Sequence, residues 1–225
     1  MNTYRRAAAL AGSLFLIAMV SSLLGGGLIE SVISVPGYLS EASSHSTVIF
    51  IGISLEIING IAVIGIAVTL SPVLKRYSES MAAGYLSFRI IEAIFCIAAA
   101  VIPLFIISLS SEYIKAGDSN SANIFTISAF LISVRTHFAS LLIPLFFGLG
   151  ALLFYYLMYR MELVPRYISV WGLISAVLII SLIFLKAGSM VNIIFVLPII
   201  INEIYLGVRL ILKGFDITAD STASA

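Results

Sequence analysis

The chain has 225 residues, of which 61% are hydrophobic and only 10% charged, and its mean hydropathy is +1.16. A soluble domain carries about 25% charged and about 45–50% apolar residues, so the composition excludes a soluble monomer, a disordered chain and a disulfide-stapled secreted domain. Twelve Lys+Arg against eleven Asp+Glu leave a formal net charge of +1, which gives nucleic acid nothing to bind. The expected solvent, and the first expected partner, is a lipid bilayer.

A bilayer-crossing helix needs about 20 mostly apolar residues. The first span is predicted over Ala7 to Ile29, after Tyr4-Arg5-Arg6. No A-x-A cleavage site follows and the apolar run is long for a signal peptide, so it is read as a retained span. Gly25-Gly26-Gly27 is expected to end or loosen it. The loop from Glu30 to Ser46 holds Pro36-Gly37, which suits a turn or a short surface helix. A second span is predicted from Thr47 to Leu70, closed by Ser71-Pro72, and a third from Ala83 to Leu109.

The fourth region runs from Asn123 to Tyr159, about 55 Å as one helix at 1.5 Å per residue. That is long for one crossing and short for two. The fourth span is placed at His137 to Tyr159, with Ala122 to Val134 as an interfacial or re-entrant helix or as an extension of the span. The fifth is predicted from Tyr167 to Leu185, after Pro165, and the sixth from Ser189 to Leu212. The expected fold is therefore all-α: a polytopic bundle of six transmembrane helices occupying residues 1–215, followed by a disordered cytoplasmic tail at 216–225.

Loop charges orient such a bundle. With the N-terminus inside, the inner side collects Arg5, Arg6, Lys75, Arg76, Arg160, Arg166 and Lys213. The outer side collects Lys115 and Lys186 beside Glu30, Glu41, Glu112 and Asp118. Both termini are expected in the cytoplasm.

Charges inside the spans carry the functional signal, because such groups normally face the bundle interior, paired or hydrated. Counted from the outer edge, Glu56 lies about 13 Å deep, Glu92 about 18 Å, Glu203 about 20 Å and Arg89 about 22 Å. Arg89 and Glu92 are three apart and share a face with Cys96; Glu56, Asn59 and Gly60 share another. A cluster is expected from Glu56, Asn59, Arg89, Glu92 and Glu203 or its neighbour Asn202, with Tyr205 at its margin. Three carboxylates then meet one guanidinium, which holds one or two by bidentate bonds. A carboxylate left over takes a proton, a cation or a small cationic ligand, or serves with its neighbours as interhelical glue. Arg135 and His137 are placed at the outer end of the fourth span, as a vestibule or as snorkelling side chains.

Other features admit structural uses. Pro103, Pro144 and Pro198 fall within spans and mark either broken helices around a site or plain kinks. Gly60, Gly65, Gly148 and Gly150 suit close helix packing, and the single cysteine, Cys96, suits a small buried hydrophobe. His45, Glu41 and Glu30 form no diagnostic metal spacing. No H-E-x-x-H, G-x-S-x-G, Walker or haem-attachment pattern occurs, so no catalytic residue, metal or cofactor is assigned.

Arg6-Ala7-Ala8, Glu56, Arg89-x-x-Glu92-Ala93, Gly148, Tyr155, Pro165-Arg166, Glu203-x-x-x-Gly207 and Lys213-Gly214-Phe215 occur together here. With these the chain resembles the bacterial and archaeal multi-pass membrane family called domain of unknown function 4386, nearly throughout up to Phe215. The resemblance implies a prokaryotic cytoplasmic membrane and a six-span bundle, and brings no activity. The function expected from the charges is a small transporter or ion-coupled carrier. The alternatives are a membrane-embedded enzyme acting on a lipid or isoprenoid, or a non-catalytic membrane subunit.

Overall fold

The computed structural model describes residues 3–116, 121–185 and 189–216. Among them the chain is helical throughout, without a strand. The helices are α1 (Thr3–Ile33), α2 (Tyr38–Glu41), α3 (Ser46–Leu74), α4 (Glu79–Ala116), α5 (Ser121–His137), α6 (Ile143–Arg160), α7 (Arg166–Leu182) and α8 (Ser189–Leu212). A π-turn, Phe138–Leu142, joins α5 to α6.

Among the described residues, five helical stretches are long and apolar enough to cross a membrane: Tyr4–Ile33, Ser46–Leu74, Glu79–Lys115, Ser121–Arg160 and Val191–Leu212. The apolar helix α7 is shorter, at 17 residues. Their outward faces are greasy. Ile61 is 62% exposed, Ile94 57%, Phe105 54% and Ile194 65%. Such surface needs a lipid covering or a partner. The apolar helices and this surface fit an integral, multi-pass membrane protein.

Three expectations change in detail. Gly25-Gly26-Gly27 does not end α1, which continues to Ile33. Gly25 serves close packing instead: a Cβ there would lie 2.9 Å from the Gly52 carbonyl oxygen and 3.0 Å from Cβ of Leu55. Ser71-Pro72 does not close α3, which runs on to Leu74. The fourth region is one continuous 40-residue helical stretch, which is the extension alternative. Proline at 144 lacks an N–H and crowds the carbonyl four residues back. The π-turn just before it is the kind of local widening that absorbs such a defect. The Pro36-Gly37 turn is present, with Gly37 at φ 79°, and leads into α2. The predicted charges Asp118 and Lys186, and residues 217–225 of the tail, lie outside the described residues.

The chain forms two compact units. Unit one comprises Met1–Ile17, Ala62–Glu92 and Pro144–Ala225; unit two comprises Ala18–Ile61 and Ala93–Ile143.

In unit one, α1 and α8 meet glycine to glycine. A Cβ on Gly12 would lie 2.5 Å from the Gly207 carbonyl oxygen, and one on Gly207 would lie 3.1 Å from that of Gly12. Small residues allow this backbone approach, which is how helices associate where lipid removes the hydrophobic drive. Arg5 donates to the carbonyls of Leu210 at 3.0 Å and Leu212 at 2.7 Å; the first also accepts from the Gly214 N–H at 3.2 Å, and both lie at the C-terminal end of α8, where basic side chains bond the last carbonyls. Arg209 donates to the Gly214 carbonyl at 3.1 Å and pairs with Asp216 at 2.5 Å. An aromatic cluster is buried here: Phe154 lies 5.8 Å from Phe15, 5.3 Å from Tyr85 and 5.0 Å from Tyr155 between ring centres, with only the Tyr85 ring stacked on it. The Tyr155 ring lies flat against Gly172 of α7, where any side chain would overlap it.

Unit two is built around Ile29, Val32, Ile33, Ile49, Ile53 and Ile106, all buried. Tyr38 of α2 packs on this cluster, and its hydroxyl lies 2.8 Å from that of Ser128 on α5.

Candidate functional site

Unit one holds a charged group inside apolar helices. Arg89 and Glu92 are one turn apart on α4, with side-chain exposures of only 6% and 5%, and their Nη1 and Oε2 atoms lie 2.9 Å apart. The pair is close but not aligned as a hydrogen bond: Oε2 of Glu92 has no bonding partner by geometry. Arg89 also stands 5.4 Å from the Phe147 ring centre, and its aliphatic stem packs at Gly150, where a Cβ would lie 3.3 Å from its Cδ. Cation–π contact and stem packing hold the guanidinium where water does not reach.

Glu203 of α8 lies within coulombic reach of Arg89 and Glu92. It forms no ion pair or hydrogen bond among the described residues, and its surface is partly covered. Unit one thus holds two carboxylates, Glu92 and Glu203, within coulombic reach of one guanidinium. The neighbouring Asn202 is fully buried and does not join them. Its Nδ2 donates instead to the Ile168 carbonyl at 3.1 Å, tying α8 to α7. Tyr205 turns outward, 45% exposed, and its hydroxyl lies 2.6 Å from that of Tyr167.

Two residues of this group are not picked out by charge. Tyr85 and Tyr155, 2% and 1% exposed, both lie within electrostatic range of Arg89 and Glu203. The Tyr155 hydroxyl is buried without a hydrogen-bond partner among the described residues. Tyr85 is four before Arg89, which helical spacing could have revealed. Tyr155 has no comparable signal.

Glu56 and Asn59 belong to unit two. Asn59, 6% exposed, donates from Nδ2 to Oε2 of Glu56 over a long 3.5 Å. The Arg135 charge also acts on Glu56. A Cβ on Gly26 would lie 3.3 Å from Oε1 of Glu56, so glycine leaves room for the carboxylate. Arg135 of α5 forms an ion pair with Glu30 of α1, and Ser34 donates to the other oxygen of that carboxylate. Here too, two carboxylates, Glu30 and Glu56, accompany one guanidinium.

His137 is exposed, with Nδ1 2.7 Å from the Ser133 carbonyl oxygen of its own helix. The thiol of Cys96 is buried and forms no disulfide. Among the described residues no three His, Cys, Asp or Glu side chains converge as a metal site would require.

A family model described as Domain of unknown function (DUF4386) matches residues 10–214. No curated protein matches the chain, and no solved structure does.

Proposed function

The chain belongs to the family of the domain of unknown function DUF4386, and from that premise we propose that it is a small ion-coupled carrier of a prokaryotic cytoplasmic membrane. Its coupling group is the carboxylate pair Glu92 and Glu203, with Arg89 as the resident counter-ion. Glu56 and Asn59 line the route taken by the cargo.

The observation that carries this reading is the charge imbalance in unit one. Arg89 accompanies Glu92 at 2.9 Å, and Glu203 lies within coulombic reach of that pair without an ion pair of its own among the described residues. A carboxylate in apolar helices is held by a proton or a cation. Exchanging one for the other is what an ion-coupled carrier does.

The proposed topology is six spans with both termini in the cytoplasm. Helix α7, 17 residues long, rises about 26 Å at 1.5 Å per residue, a little less than the roughly 30 Å hydrocarbon thickness. Ile183, Phe184 and Leu185 prolong its apolar run. In this six-span order the basic residues Arg5, Arg6, Lys75, Arg76, Arg160, Arg166 and Lys213 fall on one side, which supports placing both chain ends on the positive, cytoplasmic side.

The test is uptake of labelled sodium and labelled methylguanidinium into proteoliposomes under an imposed pH gradient. Uptake that responds to the gradient in the wild type and not in Glu203→Gln supports the carrier. No uptake above protein-free liposomes, or an identical response in both proteins, counts against it.

A further inference from the structure

Unit two contains two cavities that share the Glu30–Arg135 ion pair as a wall. The wider, about 750 Å³, is bordered by Ser34, Tyr38, Phe125, Ile132 and Thr136. The narrower, about 280 Å³, is bordered by Ser22, Gly26, Glu56, Cys96, Ala99 and Ala139, enough for several waters or a small amine. Ala139 comes from the π-turn, a helix defect frequent at functional sites.

The charges of the narrower cavity are Glu30, Glu56 and Arg135, which leaves one negative charge in excess. Glu30 already engages Arg135 with one oxygen and Ser34 with the other. The excess therefore rests on Glu56. Its carboxylate accepts one long hydrogen bond, from Asn59 at 3.5 Å, while a carboxylate offers about four lone-pair sites. Acceptor capacity remains, and the Ser22 hydroxyl on the wall adds more. The rest of the wall, Ala99, Ala100 and Ile143, is small and apolar. An anion would meet an arginine already held by Glu30 and a repelling Glu56.

We propose that this cavity binds a small organic cation whose charged end carries N–H donors, an ammonium or a guanidinium group. Glu56 receives the charged end, and Ala99, Ala100 and Ile143 face the apolar part. The Glu30–Arg135 pair divides the site from the wider cavity. The site rests on the carrier reading and deepens it by naming the cargo class. The same chemistry is offered by a free solute and by the ammonium of a lipid headgroup.

The experiment is equilibrium binding of labelled methylguanidinium to the full chain in phosphatidylglycerol nanodiscs. Saturable binding is expected, weakened roughly tenfold or more in Glu56→Gln and kept within about twofold in Glu112→Gln, an exposed carboxylate of α4 outside the cavity, since one contact to a charge is removed in the first and none in the second. Gly26→Ala crowds the Glu56 carboxylate without changing charge; it should weaken binding too, and serves if Glu56→Gln does not fold. Phosphatidylethanolamine in the nanodiscs should compete if the ligand is a lipid headgroup and leave binding unchanged if it is a free solute. Absent saturable binding in the wild type, or undiminished binding in Glu56→Gln or Gly26→Ala, overturns the site. The carrier reading fails separately, if Glu203→Gln keeps a gradient-dependent uptake.

Discussion

Nη1 of Arg89 stands 2.9 Å from Oε2 of Glu92, and neither side chain exposes more than 6% of its surface. Removing one partner of such a pair strands the other charge, at about 3–5 kcal/mol, whereas replacing both by apolar residues of similar volume is often neutral. Arg89→Met alone should therefore lower resistance to denaturant strongly, and Arg89→Met with Glu92→Met should recover most of it. Glu203 lies close enough to modulate the loss. Denaturant titration of the purified variants reads this directly, and a double variant as weak as the single one would refute the pairing.

The approach of α1 to α8 is set by Gly12 and Gly207. A Cβ on Gly12 would sit 2.5 Å from a carbonyl oxygen, while nothing lies within 4 Å of a Cβ on Gly27. Gly12→Val should destabilise by about 1–3 kcal/mol, the usual penalty of overpacking. Gly27→Ala should be neutral or stabilising, as alanine is the better helix former by about 1 kcal/mol. Thermal unfolding of the two proteins in one detergent makes the comparison.

Helix α6 ends in a Schellman turn: the Leu163 N–H reaches the Met158 carbonyl at 3.2 Å and the Glu162 N–H that of Tyr159 at 3.4 Å. Glu162 occupies the left-handed position, with φ 50°, where glycine is favoured. Its ion pair with Arg166 is exposed and contributes little. Glu162→Gly should raise the apparent melting temperature, by relief of roughly 1 kcal/mol of backbone strain. A lower melting temperature would show that the ion pair outweighs the strain.

Tyr77, in the turn between α3 and α4, accepts a 2.9 Å hydrogen bond from Nε of Arg160. That donor favours the phenolate, so Tyr77 titrates below the ordinary tyrosine value of 10.0. As pH rises through that point the contact with Arg160 gains charge and tightens. Arg160→Gln should move the titration back up, followed by NMR of labelled tyrosine with Tyr77→Phe to assign the signal. An unmoved titration would exclude the contact.

Helix positions were legible wherever apolar runs are bounded by charge or proline. The apolar run predicted from Ser189 to Leu212 coincides with α8, and Pro165 announces α7 one residue before its start. The glycine triplet misled because a glycine's role depends on what faces it. Gly25 faces Gly52, a contact 27 residues away that no local pattern contains. Periodicity cannot tell one long helix from two pieces in the fourth region; the unbroken helical run from Ser121 to Arg160 decides it.

The site was legible in part for a related reason. Spacing alone puts Arg89 beside Glu92 and Asn59 beside Glu56, since three residues make one turn. Partners on other helices need tertiary structure. Arg135 is held by Glu30, and Asn202 serves α7, while Tyr85 and Tyr155 join the acidic group although neither is charged at neutral pH.

In the proposed carrier, Glu203 holds the ion exchanged for the cargo. Lumenal pH in dye-loaded proteoliposomes after addition of methylguanidinium reads that exchange, wild type against Glu203→Gln. Coupling through Glu203 predicts a protein-dependent pH change in the wild type and its loss in Glu203→Gln, with methylguanidinium binding retained in that variant. A pH change of equal size in both proteins, or none in the wild type, would contradict it.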